Sequence, residues 1–278
     1  MIAARRGGPV VLRLGRLALV LNAVVIFAFL YLPILILLIF SFNATRSVAH
    51  WEGFSLAWYQ RLFDNVSLLR AARNSLLIGL VATVVATIFG TMTALGMDRF
   101  RFRFRTTFDV VLYLPIVIPE IVLGISLLLF FNLALFPVVE AVVPVRLTLG
   151  LPTITIAHIA FCIPFVYVIV RARLAGFDRT LEEAARDLGA NEWNTFRRVT
   201  FPLLLPGILG GALIAFTLSL DDFLVTAFTA GTASPTMPLY IYSLVRRGVT
   251  PEINALSTVL LVASMGLIVV SLILQRKR

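Results

Sequence analysis

Long apolar runs without charge constrain this chain more than any other feature of its sequence. Two of them, Leu17 to Thr45 and Asn74 to Met97, contain no charged residue. About 20 apolar residues in a helix cross the roughly 30 Å of hydrocarbon in a bilayer. The first run is also much longer than the apolar region of a signal peptide, which has about 7 to 15 residues, so it predicts a retained span. Because lipid offers no partner to backbone polar groups, the runs predict transmembrane helices.

The composition agrees with an integral membrane protein. Hydrophobic residues make up 60% of the 278 residues and charged residues only 14%, whereas soluble domains have about 25% charged residues. The net charge of +10 is spread over short loops between apolar runs, so it builds no basic groove and predicts no nucleic-acid partner. The single cysteine, Cys162, excludes a disulfide within the chain.

The distribution of charge predicts the topology. We expect one all-α transmembrane domain, residues 1–278, with six spans at about 17–42, 74–97, 110–135, 147–170, 203–230 and 253–275. With a cytoplasmic N-terminus, 17 of the 24 basic residues fall on inside segments, which satisfies the positive-inside rule. Both termini, and the loop between the fourth and fifth spans, are then cytoplasmic.

Four arginines alternate with three phenylalanines in residues 99–105, directly after the second span. A basic and aromatic pattern could bind nucleic acid. Beside a span it favours contact with anionic lipid headgroups on the cytoplasmic side of the membrane.

The one long polar interruption of the apolar sequence predicts two short helices joined by a turn. Thr180 and Glu183 have the spacing of a capping box, which starts the first helix near residue 181. Gly189 suits the end of that helix, and Asn191 suits the start of the next one. Pro202 is expected to stop the second helix before the chain becomes apolar again.

This interruption resembles the EAA loop of ABC importer permeases. The pattern reads Glu183-Ala184-Ala185, then Gly189, then Val199 and Phe201-Pro202, where Val199 and Phe201 replace the usual isoleucine and leucine. The resemblance implies a cytoplasmic coupling helix in loop 178–202 that docks into a cleft on a separate ATPase subunit. An ordinary amphipathic loop helix is the alternative. The residues predicted to couple are Glu182, Glu183, Ala184, Ala185, Asp187, Gly189 and Pro202.

The sequence lacks the motifs of an ATPase or another enzyme. A Walker A loop needs a lysine behind its glycines, and the only lysine is Lys277, close to the end. There is no HExxH motif, no CxxC pair and no plausible serine, histidine and aspartate set. We therefore expect no enzyme activity, no metal and no cofactor in this chain, with ATP and magnesium held by partner ATPase subunits.

Three acids lie inside predicted spans: Glu120, Asp221 and Asp222. An ionisable residue near mid-bilayer costs about 2.5 to 3.5 kcal/mol, so each is a candidate for the substrate pathway. Neighbouring helical residues point about 100° apart, so Asp221 and Asp222 cannot both face one narrow path. Since no internal salt bridge is obvious, their counter-charge could be a cation, water or a partner subunit. Alternatively they are structural acids, or they lie at the ends of spans.

A second resemblance covers most of the chain. Four segments are similar to permeases of spermidine/putrescine importers: GFSLAWYQRLF (53–63), LPIVIPEIVLGISLL (114–128), SLDDF (219–223) and PLYIYSLVRRGVTPEINAL (238–256). The resemblance implies a type I ABC importer permease fold in the bacterial inner membrane. It also implies a second permease, two ATPase subunits and an external solute-binding protein as partners, besides membrane lipid. Glu120 departs from the aspartate that relatives often carry there.

Together these features predict a permease subunit that moves a small cation, a polyamine such as spermidine or putrescine, inward by alternating access. A permease of the same fold for another solute, an amino-acid-like compound or a metal, is the first alternative. A secondary transporter or channel is another, although neither needs an EAA loop. A membrane scaffold is a third, and it does not explain the intramembrane acids.

Overall fold

A computed structural model describes residues 9–46, 50–144, 146–232, 234–248 and 250–276. Throughout these ranges the regular structure is helical, apart from one isolated bridge between Asn43 and Phe54, which confirms the predicted all-α class. The α-helices are α1 (Pro9–Phe40), α2 (Ala57–Asp64), α3 (Val66–Arg99), α4 (Arg105–Val117), α5 (Glu120–Phe130), α6 (Phe136–Val142), α7 (Leu151–Ala175), α8 (Thr180–Asp187), α9 (Glu192–Thr195), α10 (Phe201–Asp221), α11 (Leu224–Thr229), α12 (Met237–Arg246) and α13 (Pro251–Arg276). Two π-helices, Phe131–Leu135 and Phe196–Thr200, join α5 to α6 and α9 to α10.

The chain forms two compact units. The terminal unit comprises Met1–Asn65 and Ser243–Arg278, and the central unit comprises Val66–Tyr242. The assignment of residues 1–278 to a single domain stays a prediction. Several basic residues counted for the topology lie outside the described residues: Arg5, Arg6, Lys277 and Arg278.

In the terminal unit, the indole of Trp58 holds the short helix α2 in place. Trp58 is buried, and its Nε1 donates a 2.8 Å hydrogen bond to the carbonyl of Asn43. Asn65 Nδ2 donates to Glu252 Oε1 at the start of α13, over 3.2 Å. These bonds satisfy polar groups close to apolar helices, where unpaired donors are costly.

The core of the central unit is the close packing of α3, α7 and α10. A Cβ at Gly90 of α3 would lie 2.7 Å from Val166 Cβ of α7, and one at Gly211 of α10 would lie 3.2 Å from Val166 Cγ1. Glycine at these positions lets the backbones of α3 and α10 approach one side chain of α7. Such small residues are the usual basis of helix association in membranes, because lipid provides little hydrophobic drive between helices.

Five helical segments are long and apolar enough to cross a membrane, as judged from the described residues: Gly15–Phe40, Val66–Arg99, Glu120–Val142, Leu151–Ala175 and Glu192–Asp221. They cover the predicted second span and overlap the predicted first and fourth spans, which end two residues later and begin four residues earlier, respectively, than the observed segments. The predicted sixth span falls on α13, which has 26 residues, although the side chains beyond Gly266 lie outside the described residues.

The predicted third span, 110–135, is wrong because these residues do not form one continuous helix. Helix α4 ends at Val117, and Ile118 and Pro119 are extended, with ψ of 132° and 134°. Proline has no N–H to donate and disfavours a helical residue before it, so Pro119 breaks the helix. The segment that can cross the membrane starts at Glu120.

The predicted fifth span, 203–230, is wrong at both ends. Pro202 does not stop the preceding helix, because it lies in the first turn of α10, where its missing N–H is tolerated. The π-helix Phe196–Thr200 continues the helical path from α9 into α10. At its other end α10 stops at Asp221, since Asp222 is extended with ψ of 122°.

The packing predicts different effects of alanine at two glycines of α3. Gly90→Ala should lower stability by about 1 to 3 kcal/mol, because its methyl group overlaps Val166. Gly96→Ala is the control, since nothing lies within 4 Å of an added Cβ there and alanine favours the helix. Thermal unfolding in detergent measures both variants. Equal midpoints would contradict the packing assigned to Gly90.

Candidate functional site

A cavity of about 210 Å³ in the central unit brings together the three predicted intramembrane acids. Glu120 comes from α5, Asp221 ends α10, and Asp222 follows it. The other residues that line the cavity are Phe161, Thr217, Leu218, Phe223 and Leu224. Acids about 100 positions apart in the sequence therefore share one site. Their role in transport remains a prediction.

Two of these acids lie at helix ends and are exposed. Glu120 is the first residue of α5, where the positive end of the helix dipole favours a carboxylate. Asp221 is the last residue of α10. Both breaks in the helices, at Pro119 and at Asp222, thus place a carboxylate at the edge of the cavity.

Asp222 is different, because its carboxylate is buried and hydrogen-bonded within the protein. It accepts hydrogen bonds from the backbone N–H of Val225 at 3.2 Å and of Thr226 at 2.8 Å, and from the Thr226 hydroxyl at 2.7 Å. These bonds satisfy the first turn of α11. Asp222 therefore has a structural role, although it also lines the cavity.

His158 is the partner of Asp222 that sequence reasoning missed. The two side chains are 1% and 2% exposed, and His158 Nε2 lies 3.2 Å from Asp222 Oδ2. Nε2 also lies 2.9 Å from Thr226 Oγ1, and Nδ1 lies 2.7 Å from Ser219 Oγ. With its proton on Nε2, the ring donates to Asp222 and accepts from Ser219. Asp222 therefore has an internal partner that was not obvious from the sequence, which agrees with the alternative of a structural acid.

The predicted coupling region folds as α8, a tight turn and α9. Gly189 has φ of +84°, its N–H bonds to Arg186, and the Ala190 N–H bonds to the Ala185 carbonyl. This pair of bonds is a Schellman motif, which confirms the predicted end of the helix. Asn191 caps α9 as predicted, since its side chain accepts from the Asn194 N–H at 2.9 Å.

The predicted capping box at Thr180 and Glu183 is wrong. Asp178 takes that role instead, because its carboxylate accepts from the backbone N–H of Thr180 at 3.0 Å and from the Thr180 hydroxyl at 2.8 Å. The same bonds hold the pKa of Asp178 below its ordinary value. An aspartate two residues ahead of a helical threonine competes better for these donors than a glutamate inside the helix.

Most of the predicted coupling residues form an exposed surface. Glu183, Ala184, Asp187 and Gly189 are exposed, and Ala185 is half-buried. Leu188, which follows α8, is 89% exposed, and Trp193 of α9 is exposed as well. Pro202 is exposed but lies in the first turn of α10, outside α8. Exposed apolar side chains beside charged ones are typical of a surface that binds another protein.

Glu182 points away from this surface and ties α8 to its neighbours. Its Oε1 lies 2.5 Å from Arg99 Nη2 at the end of α3 and accepts a hydrogen bond from the Thr200 hydroxyl. A second ion pair joins Arg179 to Asp98 over 2.8 Å. Arg99 therefore forms an ion pair with α8, whereas the sequence pattern predicted that it contacts lipid headgroups.

Comparisons with known proteins agree with this architecture. Residues 86–277 match the family described as binding-protein-dependent transport system inner membrane component. The spermidine/putrescine transport system permease protein PotC of Haemophilus influenzae is 44% identical over 91% of this chain and 94% of its own length. The putrescine transport system permease protein PotI of Escherichia coli is 41% identical over 84% of this chain and 82% of its own.

Solved structures share the fold at lower identity. A chain of a bacterial ABC transporter involved in the import of alginate superposes with a TM-score of 0.73 at 18% identity, over 94% of both chains. A chain of the methionine transporter MetNI reaches 0.56 at 21% identity, over 73% of this chain and 92% of its own. The fold is thus that of ABC importer permeases, in agreement with the resemblance of the EAA loop. Since the matched family spans residues 86–277, the chain belongs to the inner-membrane components of binding-protein-dependent transport systems.

Proposed function

We propose that this chain is the permease subunit of an ATP-driven importer that moves a polyamine, spermidine or putrescine, into the cell. The observation that carries the proposal is the shared cavity of Glu120 and Asp221, two exposed carboxylates from different helices. Relatives at 41–44% identity carry spermidine/putrescine or putrescine in their names.

The charge of the cavity favours an organic cation. A carboxylate inside a membrane domain is stabilised by an opposite charge, and a polyamine brings several ammonium groups on a flexible apolar chain. Phe161, Leu218 and Phe223 would contact the methylene groups. A metal ion is the weaker candidate, because the described residues contain no group of three or more His, Cys, Asp or Glu side chains that could hold one.

The exposed surface of α8 supports coupling to a separate ATPase subunit, which would hold ATP and magnesium. Glu183 would meet a basic group of that subunit, and Leu188 would enter an apolar part of its cleft. Two ATPase subunits, a second permease and an external solute-binding protein complete the proposed importer. Loop 178–202 and both termini face the cytoplasm in this proposal, as the positive-inside rule predicts.

The polar contacts of α8 connect it to helices that lie beside the cavity, so that a movement of α8 can reach the cavity. Glu182 links α8 to Arg99 of α3 and to Thr200, which precedes α10. Helix α3 packs closely on α7 and α10, and α10 ends at Asp221. A displacement of α8 by the ATPases would therefore shift α10, which carries Asp221, and the cavity would open alternately to each side.

We expect Glu183→Lys to abolish ATP-driven uptake by the assembled transporter while the chain stays folded, because the substitution reverses the charge of an exposed group on α8. Gly189→Asp should act in the same way, since the positive φ strains any side chain there. Asp64→Lys is the control, with the same charge change at an exposed residue of α2. Uptake in proteoliposomes is the measurement. Unchanged uptake by Glu183→Lys would refute the coupling role.

Asp221→Asn and Asp222→Asn form a matched pair of neighbouring substitutions. Asp221→Asn, like Glu120→Gln, should raise the KM for polyamine uptake about tenfold with little change in stability, as expected for one lost charged contact. Asp222→Asn should instead lower stability by about 3 kcal/mol, because it breaks the buried pair with His158. Uptake kinetics and thermal unfolding separate the two effects. If both variants change KM alone, the structural role of Asp222 is wrong.

A further inference from the structure

The loop between α3 and α4, residues Phe100–Phe104, directly follows a helix that is long and apolar enough to cross a membrane. The uncharged part of α3, Asn74 to Met97, has 24 residues and a helical length of about 36 Å, which exceeds the thickness of the bilayer core. Asp98 and Arg99 follow at once, so the loop begins at the depth of the headgroups. Helix α4 returns towards apolar surroundings, since Phe108, Val110 and Val111 are exposed.

The aromatic rings of this loop are not covered by the protein. Phe100 is 68% exposed and Phe104 is 62% exposed. Phe102 is also exposed, although its ring meets that of Phe108 edge to face at 5.7 Å. Aromatic side chains are enriched at the interface between membrane and water, where apolar rings reach into the lipid. Lipid is therefore the partner that fits these rings.

The arginines between the rings supply the charge. Arg99 is held by Glu182, but Arg101 and Arg103 are exposed, and neither forms an ion pair with any residue that the structure describes. The guanidinium carbon of Arg103 lies 5.8 Å from the centroid of the Phe104 ring. Guanidinium groups bind phosphate through paired hydrogen bonds. Two guanidinium groups without an ion pair, placed between exposed rings, therefore suit a phospholipid: the guanidinium groups can bind its phosphate and the rings can contact its acyl chains.

We propose that Phe100–Phe104 is a binding site for anionic phospholipid, in which Arg101 and Arg103 hold the headgroup phosphate and Phe100 and Phe104 enter the acyl region. The site is independent of the transported solute. Because it directly follows Asp98 and Arg99, which are ion-paired to Arg179 before α8 and to Glu182 within it, bound lipid also fixes the end of α3 against which α8 is held.

Native mass spectrometry of the full chain, titrated with phosphatidylglycerol or phosphatidylcholine, tests this site. Arg101→Gln/Arg103→Gln should weaken binding of the tightest phosphatidylglycerol about 25-fold, since each basic side chain contributes about fivefold at an anionic surface. Binding of phosphatidylcholine should stay the same. Arg246→Gln/Arg247→Gln is the matched control, with the same loss of charge at the end of α12, and it should leave the tightest site intact.

Any of three results with the lipids would overturn the proposal. They are unchanged phosphatidylglycerol affinity in Arg101→Gln/Arg103→Gln, an equal loss in the control variant, and equal binding of the two lipids by the unmodified chain. Phe100→Ser/Phe104→Ser checks the rings without changing the charge, and it should weaken binding of both lipids. Soluble glycerol 3-phosphate is the competitor without an acyl chain. If it binds the unmodified chain as tightly as phosphatidylglycerol does, the rings have no role and the lipid assignment is wrong.

Discussion

Backbone polar groups find no partner in lipid, so every interruption of a membrane helix must be satisfied by the protein itself. The central unit contains such interruptions at Ile118–Pro119 and at Asp222. At the second one the Asp222 carboxylate accepts hydrogen bonds from the free N–H groups of α11 and is paired with His158. This buried pair allows α10 to end at Asp221. Asp221 then faces the cavity with Glu120, which starts α5 after the first interruption.

Polar contacts also connect the helices around the cavity to α8. Glu182 accepts from Arg99 and from Thr200, so one carboxylate connects α8 to α3 and to the helix that leads into the cavity. Glycines at positions 90 and 211 keep α3, α7 and α10 in close contact around Val166. Rigid packing of this kind transmits a displacement, whereas a loosely packed bundle would absorb it.

The sequence predicts most of the fold because lipid restricts the choices. Uncharged runs must be helical, and local signals were sufficient at Gly189 and Asn191, where one turn of chain decides the conformation. Pro119 lies inside the predicted third span, but composition alone does not show on which side of it a span begins. Pro202 was misleading, because the π-helix before it depends on packing as well as on local preference.

The site was less predictable for a physical reason. The acids Glu120, Asp221 and Asp222 stand out in apolar sequence, and the EAA pattern marks α8. The pairing of His158 with Asp222 leaves no trace in either local segment, since it joins residues 64 positions apart through the packing of α7 against α11. Without that pair, Asp221 and Asp222 are equivalent candidates.

The importer that we propose uses ATP hydrolysis to drive a polyamine past the carboxylates of Glu120 and Asp221. Uptake of labelled spermidine and putrescine by the reconstituted complex, with and without ATP and the solute-binding protein, tests it most directly. We predict accumulation that requires both components, together with little uptake of a neutral solute or an acidic one. Failure to accumulate either polyamine, or ATP-driven uptake of the neutral solute at the same rate, would contradict the proposed function.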